Sequence, residues 1–225
     1  MAISAFQIRQ CERTGCGLRY PVVEGQPYGE RCPRCRFSTR LILVRDLRDE
    51  GGNESCQTSP SSSLEAMLDN IRSAWNVGSM FRTADGLGIR RLHLCGLTPT
   101  PENAKVIKTS LGGERNVAWR YYRDGVAAAT ALVAQGYRLW ALERHPGAQP
   151  LAGASRHLPG PPIVLVVGNE VCGVDPGILE QCERVVYIPM SGVKHSFNVA
   201  VAFGIAAHVL DHADRQITGE RTTHR

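Results

Sequence analysis

Between residues 64 and 212, short apolar runs alternate with stretches whose apolar residues recur every three or four positions. The runs predict strands at 64–68, 92–95, 138–142, 163–167 and 185–188. The periodic stretches predict helices beginning near Asn76, Glu102, Asp124, Asp175 and Asn198. The run at 163–167, Ile-Val-Leu-Val-Val, has no polar position at all. That pattern belongs to a central strand buried on both faces. Strand and helix in alternation predict an α/β domain with a mostly parallel sheet over residues 64–214. Residues 46–63 are polar, Gly/Ser-rich and aperiodic, and predict a flexible linker. Residues 215–225 are polar and predict a frayed tail. No internal repeat interrupts this organisation.

Composition places the chain among ordinary globular proteins. Of 225 residues, 43% are apolar and 21% are charged. No apolar run is long enough for a membrane span, and no membrane partner is expected. The first residues, MAISAFQIRQC, lack the basic start and continuous apolar core of a secretory signal. A cytoplasmic location is the corresponding expectation. The charge of +5 is unevenly placed. Residues 1–45 carry eight arginines against Glu12, Glu24 and Glu30, and beyond them 18 basic and 18 acidic residues cancel. A compact cationic unit suits a polyanion such as RNA; a solvated basic face is the plainer reading.

That basic unit also holds four of the eight cysteines. Cys11 and Cys16 are followed, after fifteen intervening residues, by Cys32-Pro33-Arg34-Cys35. Two close pairs, each beside turn-forming Gly or Pro, supply the four thiolates that tetrahedral structural zinc requires. The apolar residues of 1–45 are too few to hold the unit folded, so metal ligation would supply stability. The pattern is similar to a zinc ribbon, with a first spacing wider than the commonest one. Unrelated free thiols are the alternative. Cys56, Cys95, Cys172 and Cys182 show no pairing in sequence.

Three further blocks carry candidate chemistry. In the first, Asn76-Val-Gly78-Ser-Met-Phe-Arg82, Asn76 is placed to cap a helix. Val77, Met80, Phe81, Ala84 and Gly88 then share one face, and Arg82 lies off it. Gly78 is one turn before Arg82, and its missing side chain suggests room for a ribose-phosphate. Asp69-Asn70-Ile71-Arg72 leads into this block. In the second, Gly168-Asn-Glu170-Val-Cys-Gly173 follows the apolar strand directly, where open α/β sheets bind ligands. Glycine there lets a backbone approach a ligand closely. Glu170 can hold a hydroxyl, orient a partner, or face solvent. In the third, Ile188-Pro189-Met190 ends a strand, and Ser196-Phe197-Asn198 enters a helix. Small Ala200, Ala202, Gly204, Ala206 and Ala207 on that helix suit close packing, in the core or across a dimer. His195 is a loop histidine that could touch RNA.

Taken in order, the three blocks resemble the motifs of the SpoU-type (TrmH-like) branch of the SPOUT superfamily over about residues 64–212. The resemblance implies a sheet with helices on both faces and a trefoil knot. It implies S-adenosylmethionine-dependent methylation of a ribose 2′-hydroxyl in transfer or ribosomal RNA, by a homodimer. Asn76 and Arg82 would be active-site residues, with Glu170, Ser196 and Asn198 orienting Arg82 and the ribose. Backbone at Leu142, Gly168, Ile188 and Phe197 would hold the cofactor. The family usually has leucine where this chain has Phe197, which makes that pocket wall larger here. No catalytic metal is implied. The sulfonium donor is already activated, so alignment and charge placement are the main demands. Free arginine keeps its proton to above about pH 12, so a clamp on phosphate and hydroxyl is the preferred role for Arg82. Two alternatives stand: a catalytically silent RNA-binding protein on the same scaffold, and a methyltransferase acting on a base.

Overall fold

The computed structural model describes residues 5–23, 29–46, 63–154, 162–193 and 196–218. The chain divides into two compact units, Met1–Gln57 and Thr58–Arg225. The expected linker lies, from residue 47 to 62, outside the described residues, as do Cys56 and His195.

In the first unit, strands β1 (Ala5–Cys11), β2 (Arg19–Val23) and β3 (Thr39–Asp46) form an antiparallel sheet in the order β2-β1-β3. Two turns interrupt it. Cys11 ends β1, and Cys16 closes the following turn by donating its N–H to Arg13. Cys32 donates to Phe37, and Arg36 donates back to Cys32. Gly17 and Arg36, each next after its turn's second cysteine, are left-handed at φ 55° and 61°. Leu41 and Leu43 are about half exposed, so this sheet has little core of its own.

The second unit is built on seven strands: β4 (Glu65–Asp69), β5 (Arg91–Cys95), β6 (Ala118–Tyr122), β7 (Arg138–Leu142), β8 (Gln149–Pro150), β9 (Ile163–Val167) and β10 (Arg184–Tyr187). Their order is β6-β5-β4-β9-β7-β10-β8, and every pairing is parallel. Alternation along the central strands sorts side chains to two cores. Ile163, Leu165 and Val167 of β9 pack on one face with α1 (Ala74–Leu87) and α7 (Val199–Thr218). Val164 and Val166 pack on the other with α4 (Gly125–Ala134) and α6 (Pro176–Leu179). Shorter helices α2 (Ala104–Ser110), α3 (Gly113–Asn116) and α5 (Leu151–Ala154) complete the unit. The chain runs outward from β4 to β6, then crosses to β7 and returns with β9 between β4 and β7. That reversal leaves a crevice beyond the carboxyl ends of β7, β9 and β10, where ligands bind in open α/β sheets.

Several expected details are corrected. Ser73, not Asn76, caps α1: its hydroxyl accepts from the Asn76 N–H, so the helix begins two residues before Asn76. Asn103 caps α2, which begins at Ala104, near Glu102 as expected. Helices α4 and α6 begin where expected, capped by Asp124 and Asp175. Gly78 does not leave room for a ribose-phosphate. A Cβ there would lie 1.9 Å from Thr109 Oγ1 and 2.4 Å from the Val106 carbonyl oxygen, so the space is filled by α2. Ala206 and Ala207 are buried in this chain's own core, beside Phe203. Helix α7 continues to Thr218, past the point where a frayed tail was expected.

Candidate functional site

A cavity of about 540 Å³ opens at the carboxyl ends of β7, β9 and β10. Its walls are Leu142–Arg144 after β7, residues 167–171 and 173 after β9, Tyr187, Ile188 and Met190 after β10, and residues 196–199 with Ala202 at the start of α7. Leu142, Gly168, Ile188 and Phe197 thus line one space together with Glu170, Ser196 and Asn198.

The loop after β9 is held by backbone. Asn169 and Gly173 exchange two N–H···O bonds of 2.9 Å, which folds Gly173 directly over Gly168. A Cβ on Gly168 would stand 2.2 Å from the Gly173 carbonyl carbon and the Val174 nitrogen. Gly173 itself is left-handed, at φ 76°. Glu143 braces the same loop, since its carboxylate accepts from Val174 N–H at 3.1 Å and from Arg144 N–H at 2.8 Å. Asn169 ties the loop to the residue that follows β4 by donating to the Asn70 carbonyl at 2.7 Å.

Glu170 projects from this loop onto the start of α1. Its carboxylate accepts from Arg72 N–H at 2.8 Å, Ser73 N–H at 3.1 Å and the Asn76 amide at 3.0 Å. Asn76 in turn accepts, through Oδ1, from Asn198 Nδ2 at 3.1 Å. Asn198 caps α7 through Oδ1, which accepts from Ala200 and Val201 N–H. One continuous chain, Glu170–Asn76–Asn198, therefore joins the three sequence blocks and fixes two helix N-termini at the cavity rim. Desolvation pushes the Glu170 carboxyl up. The N–H donors of Arg72, of its own backbone and of Ser73, with the Asn76 amide, outweigh it and hold the group below the ordinary carboxylate range.

That shift sets a pH test. Because the folded-state pKa is lowered, the stabilisation is complete above the unfolded value, about 4.3, and is lost as pH falls through the folded one. Glu170→Gln is expected to melt at a lower temperature than the unaltered protein at neutral pH. The gap should close as acid protonates Glu170. Thermal melts over a pH series check this; a gap that persists unchanged into acid contradicts it.

Residues 63–208, well over half of the chain, match the SpoU rRNA Methylase family. The chain belongs to that family. Among relatives, it is 29% identical over 145 residues to the 23S rRNA (guanosine(2553)-2′-O)-methyltransferase RlmP of Bacillus subtilis, covering 64% of this chain and 56% of that protein. It is 29% identical over 157 residues to the tRNA (guanosine(18)-2′-O)-methyltransferase of Aquifex aeolicus, covering 68% of this chain and 69% of that one. The fold matches the crystal structure of the A. aeolicus TrmH/SpoU tRNA-modifying enzyme with a TM-score of 0.63 at 25% identity, over 72% of this chain and 79% of that chain. The chain spans little more than half the length of the B. subtilis relative.

Two expected site residues stand apart from this chain of bonds. Ser196 lines the cavity but makes no side-chain hydrogen bond among the described residues. Arg82 does not line it. It is exposed on α1, with its Cα within 3.2 Å of where a Gly113 Cβ would sit, and has no ion-pair partner among the described residues. It lies six positions beyond Asn76, which turns it about 120° around the helix. Asn169, Glu143, Ser73 and Tyr187 escaped the sequence reading as contributors. Asn169 lay inside the second block, whereas Glu143 follows its strand with no local signal.

In the first unit, the sulfurs of Cys11, Cys16, Cys32 and Cys35 all lie within 4.8 Å of one another. Cys11 and Cys35 are 3.5 Å apart, Cys16 and Cys32 3.8 Å. A tetrahedral ion with bonds of about 2.3 Å spaces its sulfurs at about 3.8 Å, so the set fits one zinc.

Proposed function

We propose that the protein is an S-adenosylmethionine-dependent RNA 2′-O-ribose methyltransferase that works in the cytoplasm as a homodimer on transfer or ribosomal RNA. The observation that carries this reading is the Glu170–Asn76–Asn198 chain at the rim of the cavity. It holds amide and carboxylate groups rigidly where a ribose would enter, beside a space of the size small ligands use, about 300–1,000 Å³.

The methyl donor supplies an electrophilic carbon on a sulfonium. The residues of this chain bind and align. Gly168 and Gly173 let the loop fold back on itself and against Glu143, which sets the backbone that would meet a bound adenosyl group, and Leu142, Ile188 and Phe197 form the walls. Glu170 and Asn198 fix the Asn76 amide, and Ser196 offers a free hydroxyl to the ribose. Arg82 grips the target phosphate and lowers the proton affinity of the 2′-hydroxyl. Its place outside the cavity supports a homodimer in which one copy's Arg82 serves the other's cavity. The segment from Ile188 to Asn198 is proposed to complete the trefoil knot of the family. The four-cysteine unit holds structural zinc, and its arginines, seven of eight exposed, capture RNA. Residues 1–45 are proposed to act as that separate module, ahead of a transferase domain at 64–214.

Calorimetric titration with S-adenosylmethionine tests the cofactor assignment. Saturable binding at one site per chain supports it. An absence of binding would leave a silent RNA-binding scaffold in its place.

A further inference from the structure

Trp75 stands in the first turn of α1, one residue before Asn76, and is 45% exposed. It belongs to neither core of the unit. An indole left this open on the first turn of the helix that carries Asn76 and Arg82 is not accounted for by folding. Its ring is held instead by a cation: the Lys108 ammonium of α2 lies 5.6 Å from the ring centroid. The close α1–α2 crossing at Gly78 and Thr109 sets up this pairing, since Lys108 precedes Thr109 and Trp75 lies one turn before Gly78.

The surroundings are cationic. Arg72, Arg82, Lys105 and Lys108 are all exposed, and none has an ion-pair partner among the described residues. Lys105 and Lys108 are two of only three lysines in the chain. Glu170, the carboxylate at this end of α1, is already occupied by Arg72 N–H, Ser73 N–H and the Asn76 amide. An exposed indole with a lysine against its ring, and further cations without ion-pair partners among the described residues on the neighbouring turns, suits one ligand class, an unpaired nucleobase with its phosphates.

We propose that Trp75 and Lys108 form a nucleobase-stacking site for the RNA. A base near the target nucleotide lies on the indole, while Lys108, Lys105 and Arg72 meet the flanking phosphates. The inference rests on the RNA methyltransferase reading and adds a site to it. Trp75 is about 10 Å along α1 from Arg82, so the stacked base is a neighbour of the target rather than the target itself. Stacking tolerates any base, so the site supplies grip and placement rather than sequence choice.

The test uses the full chain with two probes, a short oligoadenylate RNA and inorganic polyphosphate. Trp75→Ala is expected to weaken oligoadenylate binding by about fivefold or more. Trp75→Phe should lose less, because a phenyl ring also stacks. Polyphosphate binding should be the same in all three proteins. The proposal is overturned if the unaltered protein does not bind oligoadenylate, or if Trp75→Ala binds it equally well. An equal loss for polyphosphate overturns it too, since charge alone would then explain the effect. So does a change in the protein's mass in solution on Trp75→Ala, which would mean that a second copy covers the indole. Methyl transfer by the unaltered protein reports on the broader reading separately. Trp75-dependent oligoadenylate binding without transferase activity would keep this site and defeat that reading, and the reverse result would do the opposite.

Discussion

Arg82→Ala is expected to cut methyl transfer to RNA by a factor on the order of 100 to 10,000, while the protein stays folded and still binds S-adenosylmethionine. The side chain is exposed on α1 and touches neither core, so its loss leaves the helix packing intact. The cavity that would hold the cofactor is lined by other residues. What is lost is a planar cation able to bridge phosphate and hydroxyl. Arg82→Lys should recover little, because a compact ammonium cannot reproduce that fork. Steady-state methyl transfer measured beside cofactor titration checks both variants. Near-normal turnover in Arg82→Ala would remove Arg82 from the centre of the mechanism.

Stripping metal from the first unit is expected to unfold that unit and leave the other one standing. Its three strands expose Leu41, Leu43 and Val44 at about half their surface, so packing alone gives it little stability. Zinc held by four thiolates contributes apparent binding free energy on the order of 10 kcal/mol or more in small zinc domains. The seven-stranded unit has two cores of its own and needs no such help. The purified protein should carry one zinc per chain by elemental analysis. A strong chelator, or Cys11→Ser with Cys32→Ser, should make residues 5–46 sensitive to protease while residues 63–218 stay resistant. The salt dependence of RNA binding should flatten at the same time, because the ordered arginines are lost. A metal-free protein whose first unit resists protease would contradict the zinc assignment.

The elements easiest to read from sequence were those whose identity is local. The strand at Ile163–Val167 is wholly apolar, and the helix starts near Asp124 and Asp175 are set by one side chain and the next turn. The cysteine turns are equally local, and the structure gathers their four sulfurs. Strand β6 carries Ala-Trp-Arg-Tyr-Tyr at the sheet edge, mostly exposed, and so lacks an alternating pattern. Strand β8 is two residues long and owes its existence to β10 beside it. Glu65 shows the same limit inside the sheet. It is fully buried, and its carboxylate is paired with His93 at 2.7 Å and Tyr137 at 3.0 Å, partners from two distant segments. Buried carboxylates need such partners, and no local spacing announces them. Gly78 was read for the space it leaves, whereas helix α2 already fills that space. For the candidate site, the three blocks marked segments that the fold brings together, but the bonds among Glu170, Asn76 and Asn198 span 94 and 122 residues of sequence. Only the parallel sheet, with all its carboxyl ends at one edge, brings them together.

The central claim is that this chain methylates a ribose hydroxyl in RNA. The most direct measurement is transfer of labelled methyl from S-adenosylmethionine to RNA from cells lacking the protein, followed by complete digestion and mass analysis of the nucleosides. The account predicts label on the ribose of a 2′-O-methylnucleoside, absent when Arg82→Ala replaces the unaltered protein. Label on a base, or no label in RNA while the cofactor is bound, would contradict it.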